Sequence, residues 1–451
     1  MNYRYRNDEE MKDSGVEWLD VIPKLWTRNK LKRELKFSVG STPSTSNRSF
    51  FEGENIWVTI GDLNGKYCSE SKTKLTEEAL RSANMKKVPK GSLLYSFKLS
   101  VGQVAFTEKD LYTNEAIASF YPNNNSNLDF WYYALGNYLI ENSNENIYGA
   151  KLLNQELINN ANIFVPSEEE QKKIAKFLDK KTAEFDCIIS KKETLIEKLE
   201  EAKKSLISEV GTGKVKVVKT NDGYELVERK KEEMKDSGVE WLGDIPKEWS
   251  IKKLKHISIL NPSKSEVRKC LEEDIEVSFI PMESVRLGYI NVEQSKKISE
   301  IIDGYTYFKN DDIVMAKVTP CFENRNIAIS ENLVNGIGFG STELNVIRCI
   351  KKEDIEYLYY SLQEEKFINV ATSEMTGAGG LKRVPSNFLI NAQFAYPNTT
   401  NEKEKIIKYL NEKEIEIKYI IDKTKQQIEK LKEAKQSLIS EAVTGKIEIL
   451  D

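Results

Sequence analysis

Lys204-Ser205-Leu206-Ile207-Ser208-Glu209 closes a stretch that runs from Pro166 to Gly213, and Gln436-Ser437-Leu438-Ile439-Ser440-Glu441 closes a second copy from Pro397 to Gly445. In the first copy Leu178, Phe185, Ile189, Ile196, Leu199, Leu206 and Val210 recur at heptad places. In the second, Leu410, Ile417, Ile421, Ile428, Leu431, Leu438 and Ala442 fall at the same places. Glu and Lys fill the intervals with almost no Gly or Pro, which is the pattern of a coiled-coil helix. Each copy stops at Thr-Gly-Lys, with Gly213 and Gly445 placed to end a helix. At about 1.5 Å per residue, each helix makes a rod of roughly 60 Å.

Working outward, a second pair of repeats appears. Met11-Lys12-Asp13-Ser14-Gly15-Val16-Glu17-Trp18-Leu19 returns letter for letter as Met234 to Leu242. Ile22-Pro23 and Trp26 return as Ile245-Pro246 and Trp249. The chain is two tandem halves, each with an opening segment, a diverged middle and a closing helix. The boundaries expected are 1–165 for the first domain, 166–213 for its helix, 214–233 for a linker, 234–396 for the second domain, and 397–451 for the second helix and tail. Ile56-Trp57-Val58-Thr59-Ile60, Ser92 to Phe97, Ile313 to Ala316 and Leu344 to Ile347 read as strands. Asp129 to Glu141 and Ile355 to Phe367 read as helices. Lys98 aligns with Lys317, Glu115 with Glu343, Gly149 with Gly380 and Lys151 with Lys382.

Connectivity predicts the architecture. The first middle feeds the start of helix one, and the second middle feeds helix two. Helix two is therefore expected to run back along helix one, with the rod acting as a ruler between two domains. The fold class expected is α+β: two similar mixed, strand-rich domains joined by two long helices forming an antiparallel coiled coil with pseudo-twofold symmetry.

The 451 residues leave room for two or three cores, and no window is apolar enough to span a membrane. The start of the chain lacks the apolar stretch of a signal peptide. Five scattered cysteines without a C-x-x-C pair point to reduced thiols in a cytoplasmic protein and against a zinc site. The net charge of −4 announces no nucleic acid, but 31% charged residues leave room for local basic faces. Catalytic residues are scarce. The single histidine, His256, excludes histidine-based chemistry repeated in both halves. Gly211-Thr212-Gly213-Lys214 resembles the end of a phosphate loop, but Ser208 stands where Gly is required and Val215 where a magnesium-binding hydroxyl belongs. No catalytic residue and no metal site is expected.

Polar, basic and hydroxyl side chains instead gather in glycine-bearing loops, chiefly 40–48, 59–64 and 97–100 in the first middle and 317–325, 338–342 and 375–383 in the second. Such side chains read base edges and phosphates, and they are equally those of polar surface turns. The candidates for DNA contact in the first half are Thr42, Ser44, Arg48, Thr59, Asp62, Lys98 and Lys151. In the second half they are Arg286, Lys317, Thr319, Asn324, Arg325, Thr342, Thr376, Lys382 and Arg383. Ile188, Leu195, Ile207, Ile420 and Ile439 lie outside the coiled-coil seam and widen its apolar stripe beyond what two helices cover, which marks a partner-docking face.

Several stretches together carry a resemblance. They are the opening repeat with Ile22-Pro23, Gly40-Ser41-Thr42-Pro43-Ser44-Thr45, Trp57-Val58-Thr59-Ile60-Gly61-Asp62-Leu63, Ala316 to Asn324, and Gly336 to Glu343. With the duplicated helices, they make the chain similar over nearly its whole length to the specificity (S, HsdS-like) subunit of type I restriction–modification systems. The resemblance implies two target-recognition domains, each reading one half of a bipartite DNA site. It implies two methyltransferase (M) subunits as partners, which bind S-adenosylmethionine and methylate adenine, and restriction (R) subunits that use ATP and Mg. None of these cofactors would be bound by this chain. A coiled-coil adaptor without DNA specificity, and a cryptic nuclease or methyltransferase, are the competing classes.

Overall fold

A computed structural model of the chain describes residues 2–98, 100–122, 127–145, 149, 151–221, 223–378 and 380–450. Leu99 and Gly379, in two of the candidate loops, lie outside the described residues. The chain forms two compact units, Met1–Lys192 with Gln426–Asp451, and Glu193–Lys425. Two helices of 44 residues each, Glu168–Gly211 and Thr400–Val443, supply part of both units. Ser167 starts the first helix, where its hydroxyl accepts from the Glu170 N–H at 3.3 Å. Three glutamates then occupy the positive first turn.

The seam positions that the apolar pattern skips hold polar residues, and these set the register. In the first unit the Lys435 ammonium donates to Asp186 at 2.6 Å, and Lys192 donates to Gln427 at 2.6 Å. In the second unit Lys203 pairs with Glu414. In the first unit the two helical segments therefore run antiparallel. Thr182 and Thr424 return their hydroxyls to the carbonyls four residues back, at 2.7 Å each. A polar seam residue favours the one register that satisfies it.

Both helices end on a glycine in the left-handed region, Gly213 at φ +74° and Gly445 at φ +76°. An opening segment docks on each. In the first unit a hairpin, Met11–Val16 with Leu19–Pro23, brings Pro23 and Trp26 onto Gly445. In the second unit Pro246 and Trp249 lie on Gly213, where an added Cβ would meet Pro246 at 2.6 Å and Trp249 at 2.9 Å. Both tryptophans are buried. Lys12 donates to the carbonyls of Lys24 and Trp26 at 2.8 and 2.7 Å, and Lys235 donates to those of Lys247 and Trp249 at 2.9 and 2.7 Å. Arg6 pairs with Glu170 at 2.6 Å, and Arg229 with Glu402 at 2.5 Å. Each unit thus builds the same corner from the same residues.

The stretch expected to be a linker, 214–233, is folded. Val215–Thr220 and Gly223–Glu228 form a hairpin that packs on the second unit's core through Val217 and Leu226. In the first unit its place is taken by a strand from each end of the chain, Tyr3–Tyr5 against Ile447–Ile449. The registers correspond: Val215 faces Glu228 as Ile447 faces Tyr5, and Val217 faces Leu226 as Ile449 faces Tyr3. The valine-rich run Val215-Lys216-Val217-Val218 is a strand signal that the tandem repeat overshadowed.

The two middles share one topology. Phe37–Val39, Ile117–Phe120, Leu93–Ser96 and Val104–Thr107 lie in that order in the first unit. Ser258–Leu260, Leu344–Cys349, Ile313–Ala316 and Ile327–Ile329 do so in the second. A second sheet also recurs. Asn55–Val58 has a parallel neighbour, Tyr112–Thr113, and an antiparallel one, Thr73–Leu75, just as Glu276–Ile280 lies between Ile337–Gly340 and Ser295–Lys297. The additions differ: Tyr67–Cys68 extends the first sheet in one unit, and Thr306–Lys309 extends the second sheet in the other.

Strand alternation explains the continuous apolar runs. Leu93 and Tyr95 face a core with Phe130, Trp131 and Tyr138, while Leu94 faces another with Val58 and Leu111. Ile313 and Met315 face one core and Val314 a second. The helix expected over Ile355 to Phe367 is two helices, Ile355–Ser361 and Glu365–Ser373, because the Glu364 carboxylate accepts from Phe367 N–H and caps a new start.

Substituting Gly445 by Ala combines left-handed strain with a clash against Pro23 and Trp26. It is expected to lower the stability of the first unit by about 2 kcal/mol or more. Gly136→Ala, on an uncrowded helix position, is expected to leave stability unchanged or raise it by up to about 1 kcal/mol. Denaturant midpoints of the two variants check both.

Candidate nucleic-acid interface

In the second unit, main-chain bonds gather several of the sequence candidates onto one surface. Thr319 N–H donates to Lys382 O at 3.0 Å, Val384 N–H to Lys317 O at 2.9 Å, and Lys317 N–H to Glu343 O at 2.9 Å. Thr376 and Arg383 exchange main-chain bonds of 3.0 and 2.8 Å. The Thr319 hydroxyl donates to Gly380 O at 2.9 Å and accepts from Lys382 N–H at 3.1 Å, tying the two loops together. Lys317, Thr319, Thr376, Lys382 and Arg383 therefore share a patch centred on Glu343, with exposed Thr342 beside it. Arg383 donates from Nε and Nη2 to the two oxygens of Glu343 at 2.8 and 2.6 Å. That guanidinium, and more weakly the Lys317 ammonium, holds the Glu343 carboxyl below the usual range.

Asn324 and Arg325 stand elsewhere. They line a groove of about 910 Å³ within the second unit, together with Lys203, Tyr289, Tyr360 and Ile415. Arg325 donates from Nε to Gln363 O at 3.1 Å and lies 4.0 Å from Glu365, with only 12% of its side chain exposed. Burial lowers its pKa from the usual arginine value. Arg286 is exposed on the tight hairpin of Val285–Arg286 with Tyr289–Ile290.

The first unit assembles a smaller version of the patch. Ser41 N–H donates to Thr113 O, Phe97 N–H to Ala116 O, and Asn114 N–H to Val58 O, each at 3.0 Å. These bonds bring Thr42, Thr59, Lys98 and Glu115 to one edge. The Thr42 hydroxyl donates to Glu115 and, with a lesser contribution from Lys98, holds that carboxyl below its ordinary value. Ser44 bonds Ser46 at 2.7 Å, Arg48 is exposed, and Lys151 pairs with Glu145 at 2.7 Å. Thr59 and Asp62 form a local cap. Asp62 accepts from Thr59 N–H at 2.9 Å, from the Thr59 hydroxyl at 2.8 Å and from Lys72 N–H at 3.1 Å. The T-x-x-D spacing is itself the signal for this cap.

The residues marked for a docking face divide. Ile188 and Leu195 are 44% and 43% exposed. Ile207, in contrast, is buried in the second unit's core, and its counterpart Ile439 packs half-buried against the first unit's core. Each lies close to a helix end, where its own unit covers it, so neither is a free surface. Ile420 is half-buried. Ile415 and Tyr419, 70% and 62% exposed, are the larger apolar surfaces of the second helix and fall outside the set read from the sequence.

Comparison with known proteins adds to this geometry. Residues 23–201 match the family model described as type I restriction modification DNA specificity domain. Over 162 residues the chain is 36% identical to the type I restriction enzyme EcoEI specificity subunit of Escherichia coli, covering 35% of this chain and 27% of that relative. The EcoAI specificity subunit of the same organism is 37% identical over 171 residues, covering 37% and 28%. These alignments span little more than a quarter of either relative. The MjaIX specificity subunit of Methanocaldococcus jannaschii is 25% identical over 366 residues, covering 79% of this chain and 78% of that one. A chain from a solved structure described as the basis of complex assembly and conformational transition of the type I R-M system shares the fold. Its TM-score is 0.66 at 12% identity, and the match covers 94% of this chain and 99% of that one. The family-model match thus falls on residues 23–201, and the fold is shared with the type I R-M system chain over most of both lengths. Residues 23–201 carry the type I restriction modification DNA specificity domain, and over 79% of its length the chain resembles the MjaIX specificity subunit at 25% identity.

Because its carboxylate closes a local turn, Asp62→Ala is expected to cost about 1–2 kcal/mol of stability. Arg48→Ala is expected to leave stability unchanged. Denaturant midpoints separate the two.

Proposed function

We propose that the chain is the sequence-reading subunit of a type I restriction–modification complex and turns over no substrate of its own. Each unit's mixed domain reads one half of a bipartite double-stranded DNA target. The carrying observation is that one topology occurs twice, with matched lysine and glutamate positions (Lys98 and Glu115, Lys317 and Glu343) beneath loops that differ. A shared scaffold under unlike loops suits two unlike half-sites. In this reading Lys317, Lys382 and Arg383 meet base edges or phosphates in one half, and Lys98 with Thr42 does so in the other.

Bound target DNA is handed to partner subunits for adenine methylation or restriction. Two methyltransferase subunits with S-adenosylmethionine, and restriction subunits with ATP and Mg, supply the chemistry. The exposed apolar faces at Ile188 and Leu195 and at Ile415 and Tyr419 are the surfaces proposed to hold the methyltransferase. Among the described residues no helix is long and apolar enough to cross a membrane.

Exchanging residues 250–396 for the corresponding middle of another such subunit is expected to change one half of the methylated motif and spare the other. Methylation mapped in cells that also make the methyltransferase reads the outcome, and a change in both halves would reject two independent readers. Leu195→Glu is expected to leave the chain folded and abolish co-purification with the methyltransferase. Ile207→Glu is expected to destabilise the second unit, since an unpaired charge would then sit in its core. Thermal midpoints and co-purification yields distinguish the two variants.

A further inference from the structure

We propose that Glu343 is a positioning residue that presents Arg383 to a guanine in the half-site read by the second unit. The proposal rests on the recognition function above and names the group that makes one base contact specific. Glu343 is rooted on two sides. Its carbonyl accepts from Lys317 N–H at 2.9 Å, its own N–H donates to Ser341 Oγ at 3.2 Å, and the next residue, Leu344, is buried. Arg383 is rooted by its main-chain exchange with Thr376 and its bridge to Val318. Between these anchors the carboxylate takes Nε–H and one Nη2–H of the guanidinium.

A guanidinium carries five N–H donors in one plane. With the inner edge held by Glu343, Nη1 and the second Nη2–H form the outer edge, and Arg383 is 45% exposed. Two parallel N–H donors on a fixed edge match the O6 and N7 acceptors of guanine in the major groove. The carboxylate also lowers the local positive charge, which weakens attraction to phosphates of any sequence. An exposed ion pair contributes little to stability, so the fold does not account for this two-bond geometry.

Among the described residues, the first unit lacks the device. Glu115 there receives a hydroxyl from Thr42, and Leu152 stands where alignment of Lys151 with Lys382 places Arg383. The effect is therefore confined to one half of the motif.

The test uses the full chain co-produced with its methyltransferase, and duplexes bearing the motif methylated by the unaltered protein. Guanines of the second half-site are replaced one at a time by 7-deazaguanine, which lacks the N7 acceptor. The unaltered protein is expected to lose roughly five- to hundredfold in affinity at one guanine. In Arg383→Ala that replacement makes no further difference. In Glu343→Gln the sensitivity at the same guanine falls, non-specific duplex binds more tightly, and the slope of log affinity against log salt steepens by about one. Thermal midpoints of both variants are expected to match the unaltered protein.

Full sensitivity and an unchanged salt slope in Glu343→Gln would overturn the proposal. So would a second half-site without guanine, or weakening that is equal for every duplex. An unaltered protein that binds motif and scrambled duplexes alike would overturn the recognition function itself, and that result is distinct from the others.

Discussion

In each unit a proline and a tryptophan lie against a glycine that ends a long helix in the left-handed conformation. Gly445 carries Pro23 and Trp26, and Gly213 carries Pro246 and Trp249. A side chain at either glycine would collide with those rings, so the contact exists because the residue has no Cβ. Truncating a buried tryptophan of this kind costs about 3–5 kcal/mol. The opening segment, the helix end and the mixed domain all meet there. Tyr357 completes the second corner, its hydroxyl within reach of Gly211 O at 3.1 Å and Ala395 O at 2.9 Å, and Tyr138 takes the same place beside Val443 and Phe164. The letter-for-letter repeat of the opening segment is the trace of this packing, because both copies must fit the same helix end.

With the corners built alike, the two units differ in their loops. The central strands Leu93–Ser96 and Ile313–Ala316 are buried on both faces and carry no polar chemistry outward. In the proposed function, recognition falls to the segments that leave the strand ends, 97–98 and 317–325, and to those that cross beside them. Lys98 and Lys317 follow these strands closely, and Glu115 and Glu343 precede the neighbouring ones. Position in the scaffold is thus shared while side-chain partners differ, which suits the proposal that one fold presents two readers.

Much of this was legible in the chain itself. Heptad spacing gave both helices, and repetition gave the two halves, since these signals extend over many residues and need no tertiary knowledge. What stayed hidden depends in most cases on long-range contact, and in the case of Asp62 on a local turn. The hairpin at 215–228 reads as a linker until its counterpart is seen, made by the two ends of the chain. Ile207 and Ile439 look like surface stripe by spacing, but each unit folds over its own helix end and covers them. Asp62 reads as a base-facing acid, yet the T-x-x-D turn occupies its oxygens. The Glu343–Arg383 fork joins residues 40 positions apart, and no local pattern announces it.

Long-read sequencing of modified bases in cells making this chain and its methyltransferase tests the central claim most directly. The account predicts methylated adenines in one bipartite motif, with two short defined halves separated by a fixed number of unread base pairs. Methylation on a single continuous motif, or at adenines without sequence preference, would contradict two domains each reading half a site.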